Sequence, residues 1–443
     1  MKTYLPIILI CLLGVGLRIG WMNYTDYTAE DAYITFQFAR QVADGNEFSF
    51  NTGQPIYGTT TPLLTILLSV WRWAGWDIVL GSKLIALAAF AGGLWMLYFA
   101  LRPAPAIVST FLISASPLLI AQDMSGMENA LLFFFMAGAL RGLTLGEPVL
   151  SGLMCGFLLW TRVDSAVFVV AILLAHFVDR KSMLSFLAGT LIYLPWLAFA
   201  WWYFGDPVPF TITAKTVAYG INSPPFNEHL TRVTDYLSLW TFILILLAGV
   251  VSSRRTVFLP LFFVANTLLL CFSGSTFFDR YFYTFTVAGI LIVSLALARI
   301  KNTAIVVLAT LVLVILPFNK AEHVDSYAIK QRDRHVHLKE IGLWLNSNTP
   351  PESTVQLEPL GYIGYYAQRV MLDEVGLVTP AVVDLHRQRI RAENFYQYLK
   401  TDYILLQCGQ ADKVMMEFSQ EYTLIKEFTQ GSARACYEVW KHE

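Results

Sequence analysis

Charged residues are scarce in this chain. Of its 443 residues, Asp, Glu, Lys and Arg make up 14%, whereas hydrophobic residues make up 56% and the mean hydropathy is +0.53. Soluble domains carry about 25% charged residues, so this composition excludes an ordinary soluble protein and predicts a membrane protein. The net charge is −1 and no basic or acidic run occurs, so nothing indicates a nucleic-acid partner.

The sequence also lacks the motifs of nucleotide-binding enzymes, because it has neither the glycine fingerprint of a Rossmann fold nor a P-loop. It has only seven histidines, and the spacing of His335 and His337 does not place both on one helical face, so a zinc site is not predicted. Of the five cysteines, Cys408 and Cys436 lie near the C-terminal end, where they either form a disulfide or remain free thiols.

Charge is distributed unevenly along the chain. Residues 320–443 hold 14 of the 31 Lys and Arg residues and 17 of the 32 Asp and Glu residues. The sequence therefore predicts two domains. The first is a multi-spanning α-helical membrane domain at residues 1–319, with a large first outer loop at 23–82. The second is a C-terminal soluble α/β domain at residues 320–443, which carries the helix-like stretch "HLKEIGLWLNSNTPP" and the strand-like stretches "TVQLE", "VMLDEV", "YILLQ" and "CYEVW".

The apolar segments of the first domain predict about eleven transmembrane helices, since a spanning helix needs about 20 mostly apolar residues. The first of them has no small-residue cleavage site after it, so we interpret it as an uncleaved anchor. The predicted spans are residues 4–22, 83–101, 105–121, 129–145, 149–160, 163–178, 184–204, 236–251, 256–272, 281–298 and 303–318.

Lys and Arg residues collect in alternate short turns, which predicts that these turns face the cytoplasm. This places the N-terminus in the cytoplasm and the C-terminal domain outside it, in the cell membrane. The assignment requires that residues 62–76 lie along the membrane interface without crossing it. The cations that support it are Lys2, Arg102, Arg141, Arg180, Lys181, Arg254, Arg255, Arg299 and Lys301.

With this threading, the outer loops collect acids and bases. Charged side chains within a membrane cost a few kcal/mol each near its centre, so a group of them on one face indicates a polar cavity. The predicted members are Glu30, Asp31, Arg40, Asp123, Glu128, Arg162, Asp164, Asp206, Lys215, Asp279 and Arg280.

Several of these residues also have a structural interpretation. Thr28 and Asp31 have the spacing of a helix capping box, and Glu30 would favour the same helix N-terminus electrostatically. Asp123 and Glu128 are candidates for capping the following span.

The bases have alternatives too. Arg162 and Asp164 are close enough in sequence to pair only with each other, and Lys215 and Arg280 suit lipid headgroups at the interface. The functional interpretation depends on the combination of all these groups on one face.

Several stretches together resemble the GT-C membrane glycosyltransferases. They are "EDAYITFQFARQVADGNEFSFNTGQPIYGTTTPLL", "SGMENALLF", "TRVD", "YFGDPVPFTITAK" and "GYIGYYAQRVMLDEVGLVTP". Within that superfamily they are most similar to the branch of mycobacterial arabinofuranosyltransferases and protein-mannosyltransferase-like enzymes. Members usually have two aspartates where this chain has Glu30 and Asp31, and commonly Arg where it has Gln37.

The resemblance implies a GT-C fold and an inverting transfer of a sugar from a polyprenyl-phosphate donor to a glycan, lipid or protein acceptor on the outer face. It makes Asp31 the catalytic base, with Glu30 as the alternative. Glu128 is a candidate for orienting the acceptor or for holding a divalent cation such as Mg or Mn. Lys215 and Arg280 are assigned to the donor phosphate. The other candidate substrate-binding residues are Arg40, Arg162, Asp164 and Asp279.

Three alternatives stay open at this point. One is a polymerase of lipid-linked oligosaccharide units, which would share the outward site and the lipid substrate. Another is a lipid or sugar transporter, although no internal repeat is evident. The third is a structural membrane protein whose C-terminal part binds cell-wall material. Arabinofuranose, mannose and glucose donors share the same chemistry, so the sequence does not choose the sugar.

Overall fold

The structure is a computed structural model, and it describes residues 4–177, 179–220, 224–237, 239–250, 257–272, 278–315, 318–411, 414, 421–429 and 436–443. The predicted turn cations Lys2, Arg254 and Arg255 lie outside the described residues. Most of the described chain is helical, and a small sheet lies near the C-terminal end.

The first half of the chain forms helices almost throughout. They are α1 (Leu5–Thr25), α2 (Glu30–Ala43), α3 (Pro62–Trp73), α4 (Ile78–Ala100), α5 (Pro103–Ala115), α6 (Pro117–Asp123), α7 (Asn129–Leu145), α8 (Pro148–Thr161), a 3-10 turn (Val163–Ser165), α9 (Ala166–His176), α10 (Arg180–Thr190), a 3-10 turn (Leu191–Tyr193) and α11 (Leu194–Phe204).

The helical part continues to residue 348. The elements are α12 (Phe210–Gly220), α13 (Phe226–Leu237), α14 (Leu239–Val250), α15 (Phe258–Phe272), a 3-10 turn (Asp279–Phe282), α16 (Tyr283–Leu297), α17 (Thr303–Ile315) and α18 (Phe318–Asn348).

Four described helical segments are long and apolar enough to cross a membrane: Leu5–Thr25, Ile78–Ala100, Arg180–Phe204 and Asp279–Leu297. Helices α5 and α6 form a fifth candidate that bends by 64°. Proline explains the bend, because Pro117 has no backbone N–H to donate and holds Ser116 in an extended conformation. Most of the other predicted spans correspond to shorter apolar helices, so the count of eleven stays a prediction.

The interior of the membrane part depends on close helix packing. Gly152 on α8 faces the backbone of Phe186 on α10, and Gly189 on α10 faces the backbone of Val149 and Leu153. A β-carbon at either glycine would collide with that backbone. Small residues of this kind let membrane helices approach closely, which supports packing by dispersion forces.

Helix α2 carries the carboxylate pair of the first loop. It begins at Glu30, and Ala29 precedes it with no side-chain cap, so the predicted capping box at Thr28 and Asp31 is wrong. After its first turn the helix is buried on all sides, since every residue from Ala32 to Ala39 is buried. No side chain of the first turn is used to cap the helix. Both acids therefore lie at the positive end of the helix dipole.

The C-terminal part forms a five-stranded mixed sheet with short helices. Its elements are β1 (Thr354–Leu357), α19 (Gly361–Ala367), β2 (Val370–Asp373), α20 (Pro380–Arg387), a 3-10 turn (Ala392–Asn394), α21 (Tyr396–Leu399), β3 (Tyr403–Gln407), β4 (Tyr422–Phe428) and β5 (Tyr437–His442). The strand order is β2-β1-β3-β5-β4, with β1 parallel to β2 and β3, and β5 antiparallel to β3 and β4.

The predicted helix and all four predicted strands of this part are confirmed. Strand β4 was missed because it lies at the sheet edge with most residues exposed, so its apolar pattern is weak. Cys408 and Cys436 form a disulfide between the end of β3 and the start of β5. This decides between the two states that the sequence left open.

The C-terminal part packs directly on the first loop. The side chain of Asn51 pairs with the backbone of Met371, accepting its N–H and donating to its carbonyl, both at 2.9 Å. The Tyr362 hydroxyl donates to the Thr28 carbonyl at 3.3 Å. Trp21 on α1 donates its indole N–H to Asp325 on α18 at 2.8 Å. Together these bonds place α18 and α19 over the start of α2.

Candidate active site

Two neighbouring cavities lie in the described structure, one among the membrane helices and one between those helices and the C-terminal part. The larger, of about 630 Å³, is lined by Glu30, Asp31, Asp279 and residues from α18 and from the segment after β1. The smaller, of about 350 Å³, is lined mainly by apolar side chains of the membrane helices. Lys215 and Arg280 line both cavities, so they form the wall that the two share.

The two acids of α2 have different partners. Asp31 forms an ion pair with Arg280, whose Nη1 donates to Asp31 Oδ2. Glu30 accepts the backbone N–H of Gly361, at the start of α19. Gly361 has no side chain at a point where a β-carbon would meet the Glu30 backbone and carboxyl group, and that absence permits this close contact.

These partners separate the protonation states of the pair. Burial, together with the neighbouring Asp31 charge, raises the pKa of Glu30 well above its usual range. Burial also opposes ionisation of Asp31, but Arg280 and Lys215 outweigh it and lower the pKa of Asp31. The two shifts have opposite directions, so ionisation is favoured at Asp31 and disfavoured at Glu30.

Arg280 has hydrogen-bonding capacity that the protein does not use. Its side chain is 10% exposed, and its Nε has no partner among the described residues. Its guanidinium lies 4.9 Å from the ring centre of Phe278, and the ammonium of Lys215 lies 5.5 Å from the same ring. Phe278 thus holds two cations side by side without neutralising either one.

Arg162 joins two other predicted residues. It donates to Glu128 at 2.8 Å, and to both oxygens of Asp164 at 2.9 and 2.6 Å. The predicted pairing with Asp164 is therefore present, and Glu128 extends it. Glu128 Oε2 is buried and has no partner among the described residues. Arg162 and Asp164 line the smaller cavity.

Two predicted members lie elsewhere. Arg40 donates to Gln37, and its guanidinium lies 4.2 Å from the ring centre of Tyr365, away from both cavity linings. Asp206 is exposed and accepts the N–H of Val208 at 2.8 Å, which makes a local turn.

Asp123 is buried among the membrane helices and connects them. It neither caps α7 nor lines a cavity. It forms a fully buried ion pair with Arg18 of α1 at 2.6 Å and accepts the Tyr283 hydroxyl at 2.6 Å. Nearby, the Lys83 ammonium donates to the carbonyls of Tyr27 and Met124. These bonds hold the segments on either side of the larger cavity.

Sequence reasoning missed the contribution of the C-terminal part to the larger cavity. Helix α18 contributes Gln331, Arg334 and His335, and the segment after β1 contributes Glu358. One signal was available for Glu358, because it follows a strand of a parallel pair, and sites in such sheets lie beyond the carboxyl ends of strands. The residues of α18 carry no comparable signal, since a charged helix face is usually only solvated.

A divalent cation would need carboxylates free to bind it. Asp31 is held by Arg280, and Lys215 adds a second positive charge at the same wall, whereas Glu128 is paired with Arg162 and lines neither cavity. The donor set at the shared wall therefore does not fit Mg or Mn. Among the described residues, the one group of three possible metal ligands is Cys408, Glu427 and Cys436, whose two sulfurs are joined in the disulfide. The expected cation stays a prediction.

Residues 326–440 match a family described as a domain of unknown function (DUF8728). The match covers about a quarter of the chain and names no activity. No curated protein matches the sequence.

Solved structures match nearly the whole chain. A crystal structure of ArnT from Cupriavidus metallidurans bound to undecaprenyl phosphate is 11% identical, with a TM-score of 0.67 over 99% of this chain and 98% of that one. The archaeal oligosaccharyltransferase AglB from Archaeoglobus fulgidus, in complex with an inhibitory peptide and a dolichol-phosphate, is 12% identical, with a TM-score of 0.55 over 90% of this chain and 68% of that one.

A third structure is the Archaeoglobus fulgidus oligosaccharyltransferase in complex with Zn and sulfate, at 13% identity and a TM-score of 0.60 over 93% of this chain and 69% of that one. ArnT and AglB are GT-C glycosyltransferases. At these low identities the likeness shows the fold. The chain has the GT-C fold, as the sequence resemblance predicted.

Proposed function

We propose that this chain, a membrane protein with the GT-C fold, is an inverting glycosyltransferase that uses a polyprenyl-phosphate sugar donor. The observation that carries the proposal is the ion pair of Asp31 with Arg280 at the wall between the two cavities. This arrangement puts an ionised carboxylate and two cations at the junction of a polar space and an apolar one.

The apolar lining of the smaller cavity suits the prenyl chain next to a donor phosphate. Leu132, Met136, Phe168, Phe262 and Leu270 line this cavity, and they come from several membrane helices. A phosphate at the shared wall would meet two cationic groups there. The solved ArnT is bound to undecaprenyl phosphate and the solved AglB to a dolichol-phosphate, which supports a lipid phosphate as the donor here.

Lys215 and Arg280 would bind that phosphate. Arg280 offers its unpartnered buried Nε, and Lys215 adds a positive charge at the same wall. Charge-assisted hydrogen bonds of this kind are roughly twice as strong as neutral ones. The larger cavity then receives the sugar and the acceptor.

The transfer step follows from these positions. Asp31 accepts the proton of an acceptor hydroxyl as that oxygen attacks the anomeric carbon of the donor sugar. The bond between that carbon and the phosphate oxygen breaks on the opposite face, and its electron pair leaves with the polyprenyl phosphate. Arg280 and Lys215 stabilise the developing negative charge. Attack opposite the leaving group inverts the configuration.

Arg280 would link donor binding to the strength of the base. Without donor, its guanidinium holds the Asp31 carboxylate and keeps the pKa of Asp31 low. A phosphate that takes over part of the guanidinium weakens this hold, so Asp31 becomes more basic once the donor is in place. Glu30 is less suited to be the base, because burial raises its pKa and so disfavours the ionised form that accepts a proton.

Membrane placement belongs to the same proposal. The N-terminus would lie in the cytoplasm and the C-terminal part outside it, with a membrane domain at residues 1–319, a first outer loop at 23–82 and a soluble domain at 320–443. The disulfide of Cys408 with Cys436 supports an outer location, since disulfides persist in oxidising compartments. Lipid-linked donors also suit a site without nucleotide motifs.

The experiment is transfer of radiolabelled sugar from a panel of polyprenyl-phosphate donors by the purified protein in detergent. Wild type is compared with Asp31→Asn, Glu30→Gln and the matched control Glu47→Gln, an exposed acid of the same loop. We expect transfer to require Asp31 and to survive in the control. Full activity in Asp31→Asn would refute the mechanism.

An oligosaccharide donor is the second candidate, because AglB is an oligosaccharyltransferase with the same fold. The donor panel therefore includes lipid-linked oligosaccharides beside monosaccharide donors. Transfer of whole oligosaccharides alone would favour the polymerase or oligosaccharyltransferase alternative. Absence of transfer from every donor would favour a transporter.

A further inference from the structure

The C-terminal part closes one side of the larger cavity. Gln331, Arg334 and His335 reach the cavity from α18, and Glu358 reaches it from the segment between β1 and α19. We refer to these four residues as the C-terminal wall. Asp31, on α2, lines the same cavity.

The polar side chains of the C-terminal wall form few hydrogen bonds with other described residues. Gln331 and Glu358 make no side-chain hydrogen bond to other described residues. His335 is 4% exposed, yet its Nδ1 has no partner among the described residues, and neither has Nε of Arg334. Buried polar groups are almost always hydrogen-bonded in folded proteins. The two buried nitrogens without a partner at this cavity, His335 Nδ1 and Arg334 Nε, therefore indicate a ligand, and the side chains of Gln331 and Glu358 are open to the same space.

We propose that the C-terminal wall binds a carbohydrate acceptor, so that one of its hydroxyl groups reaches Asp31. This inference rests on the proposed glycosyltransferase function and extends it to the substrate class of the acceptor. It also assigns a role to residues that match only a domain of unknown function.

The chemistry of the wall fits sugar hydroxyls. A hydroxyl group both donates and accepts, and the amide of Gln331 and the imidazole of His335 can each serve as partner in either direction. Tyr219 and Tyr327 add aromatic rings to the same lining, which suit the apolar faces of a sugar ring. Pockets of roughly 300–1,000 Å³ accommodate small organic ligands, and the larger cavity has about 630 Å³.

The protonation state of Glu358 fits the same role. Burial and the charges of Asp373, Glu374 and Asp31 raise the pKa of Glu358 to about 8, against the opposing effect of Arg334. The raised pKa favours the neutral carboxyl group, which can donate its O–H to a sugar oxygen.

The position of the wall also fits an acceptor better than a donor phosphate. Lys215 and Arg280 hold the phosphate end at the boundary with the smaller cavity. The acceptor must approach Asp31 from the remaining space. The backbone N–H of Gly361 donates to Glu30 and so connects the C-terminal wall to the start of α2. This bond helps to fix the position of Glu358 relative to Asp31.

The test measures acceptor binding separately from donor binding. Saturation-transfer NMR with methyl glycosides of arabinofuranose, mannose and glucose is applied to the full-length protein in nanodiscs. The variants are Glu358→Ala and Gln331→Ala, with Glu358→Gln as the conservative change and Glu352→Gln as an exposed control. The affinity for undecaprenyl phosphate and the melting temperature are measured for each variant.

We expect at least one glycoside to bind the wild type. Binding should fall about tenfold in each alanine variant, as loss of one or two hydrogen bonds implies, and should persist at pH 7 in Glu358→Gln and in the control. Affinity for undecaprenyl phosphate should stay unchanged throughout. Equal glycoside binding in all variants would overturn the proposal, as would binding of a serine- or asparagine-containing peptide in place of glycosides.

Failure of the underlying function has a different signature. If the wild type does not bind undecaprenyl phosphate and transfers no sugar, the glycosyltransferase proposal fails. The glycoside result then still decides whether the C-terminal wall is a carbohydrate site. The two outcomes come from separate measurements on the same preparation.

Discussion

Two arginine–aspartate pairs in this protein have the same chemistry and different surroundings. Arg18 and Asp123 are both completely buried among the membrane helices, and the side chains of Arg280 and Asp31 are 10% and 32% exposed at the cavities. Arg18 also donates to the carbonyls of Gly14 and Ser114 and lies 3.3 Å from the ring centre of Phe90.

The two pairs differ in how many of their hydrogen-bonding groups are left without a protein partner. We call Arg18 and Asp123 the sealed pair. Tyr283 donates to the second oxygen of Asp123, so both charged groups of this pair have all their hydrogen-bonding partners within the protein. In the cavity pair, Nε of Arg280 has no partner among the described residues and Asp31 is partly open to the cavity. A saturated pair can only hold helices together. A pair with unused donors and an open carboxylate can exchange partners with a substrate.

The largest expected effect on activity comes from Asp31→Asn. Removing a general base lowers the rate by about 10²–10⁴-fold, and because this pair is partly exposed we expect a smaller fall in the melting temperature than loss of the fully buried pair would cause. The measurement is sugar transfer per folded protein, with Glu47→Gln as control. Transfer at the wild-type rate by Asp31→Asn would show that the pair of Asp31 and Arg280 does not take part in catalysis.

The sealed pair should show the reverse pattern in Arg18→Leu. Leaving Asp123 as an unpaired buried charge should cost about 3–5 kcal/mol of stability, seen as a lower melting temperature in detergent. The double variant with Asp123→Leu should recover part of this loss, because no unpaired charge remains. The comparison would be broken if Arg18→Leu melted like the wild type.

A smaller effect tests whether Asp31 and the donor phosphate compete for Arg280. In Asp31→Asn the guanidinium loses its anionic partner, so affinity for undecaprenyl phosphate should rise about tenfold, or about 1.4 kcal/mol, while transfer is lost. Arg280→Gln should weaken the same binding. An affinity unchanged by Asp31→Asn would show that the two anions do not share the arginine.

The smallest effect concerns pH. The raised pKa of Glu358, about 8, means that the carboxyl group is protonated below pH 8 and ionises as the pH rises through that value. Ionisation removes its donated hydrogen bond and adds repulsion from Asp31, Asp373 and Glu374, which Arg334 only partly offsets. Glycoside binding should therefore fall between about pH 7 and 9 in the wild type and stay level in Glu358→Gln. A level wild-type profile would exclude a neutral Glu358 donor.

The sequence predicted those elements whose signal is continuous along the chain. Helix α7 has the predicted bounds, Asn129–Leu145, because its apolar run is bounded by polar residues. The capping box predicted from the spacing of Thr28 and Asp31 is wrong, because α2 begins at Glu30 after Ala29 with no side-chain cap. Strand β4 was missed because the edge of a sheet needs little apolar pattern.

Composition and order along the chain alone determined that this is a membrane protein with a polar C-terminal part, and that acids and bases recur in the loops predicted to be outer. Only the tertiary structure decided which of them meet. Arg18 pairs with Asp123 across 105 residues, Arg280 with Asp31 across 249, and Gly361 with Glu30 across 331. Burial and partnership depend on such distant neighbours, and local patterns do not contain them. For that reason the similar pairs have different surroundings: Arg18 and Asp123 are buried and hold helices together, whereas Arg280 and Asp31 face the cavities.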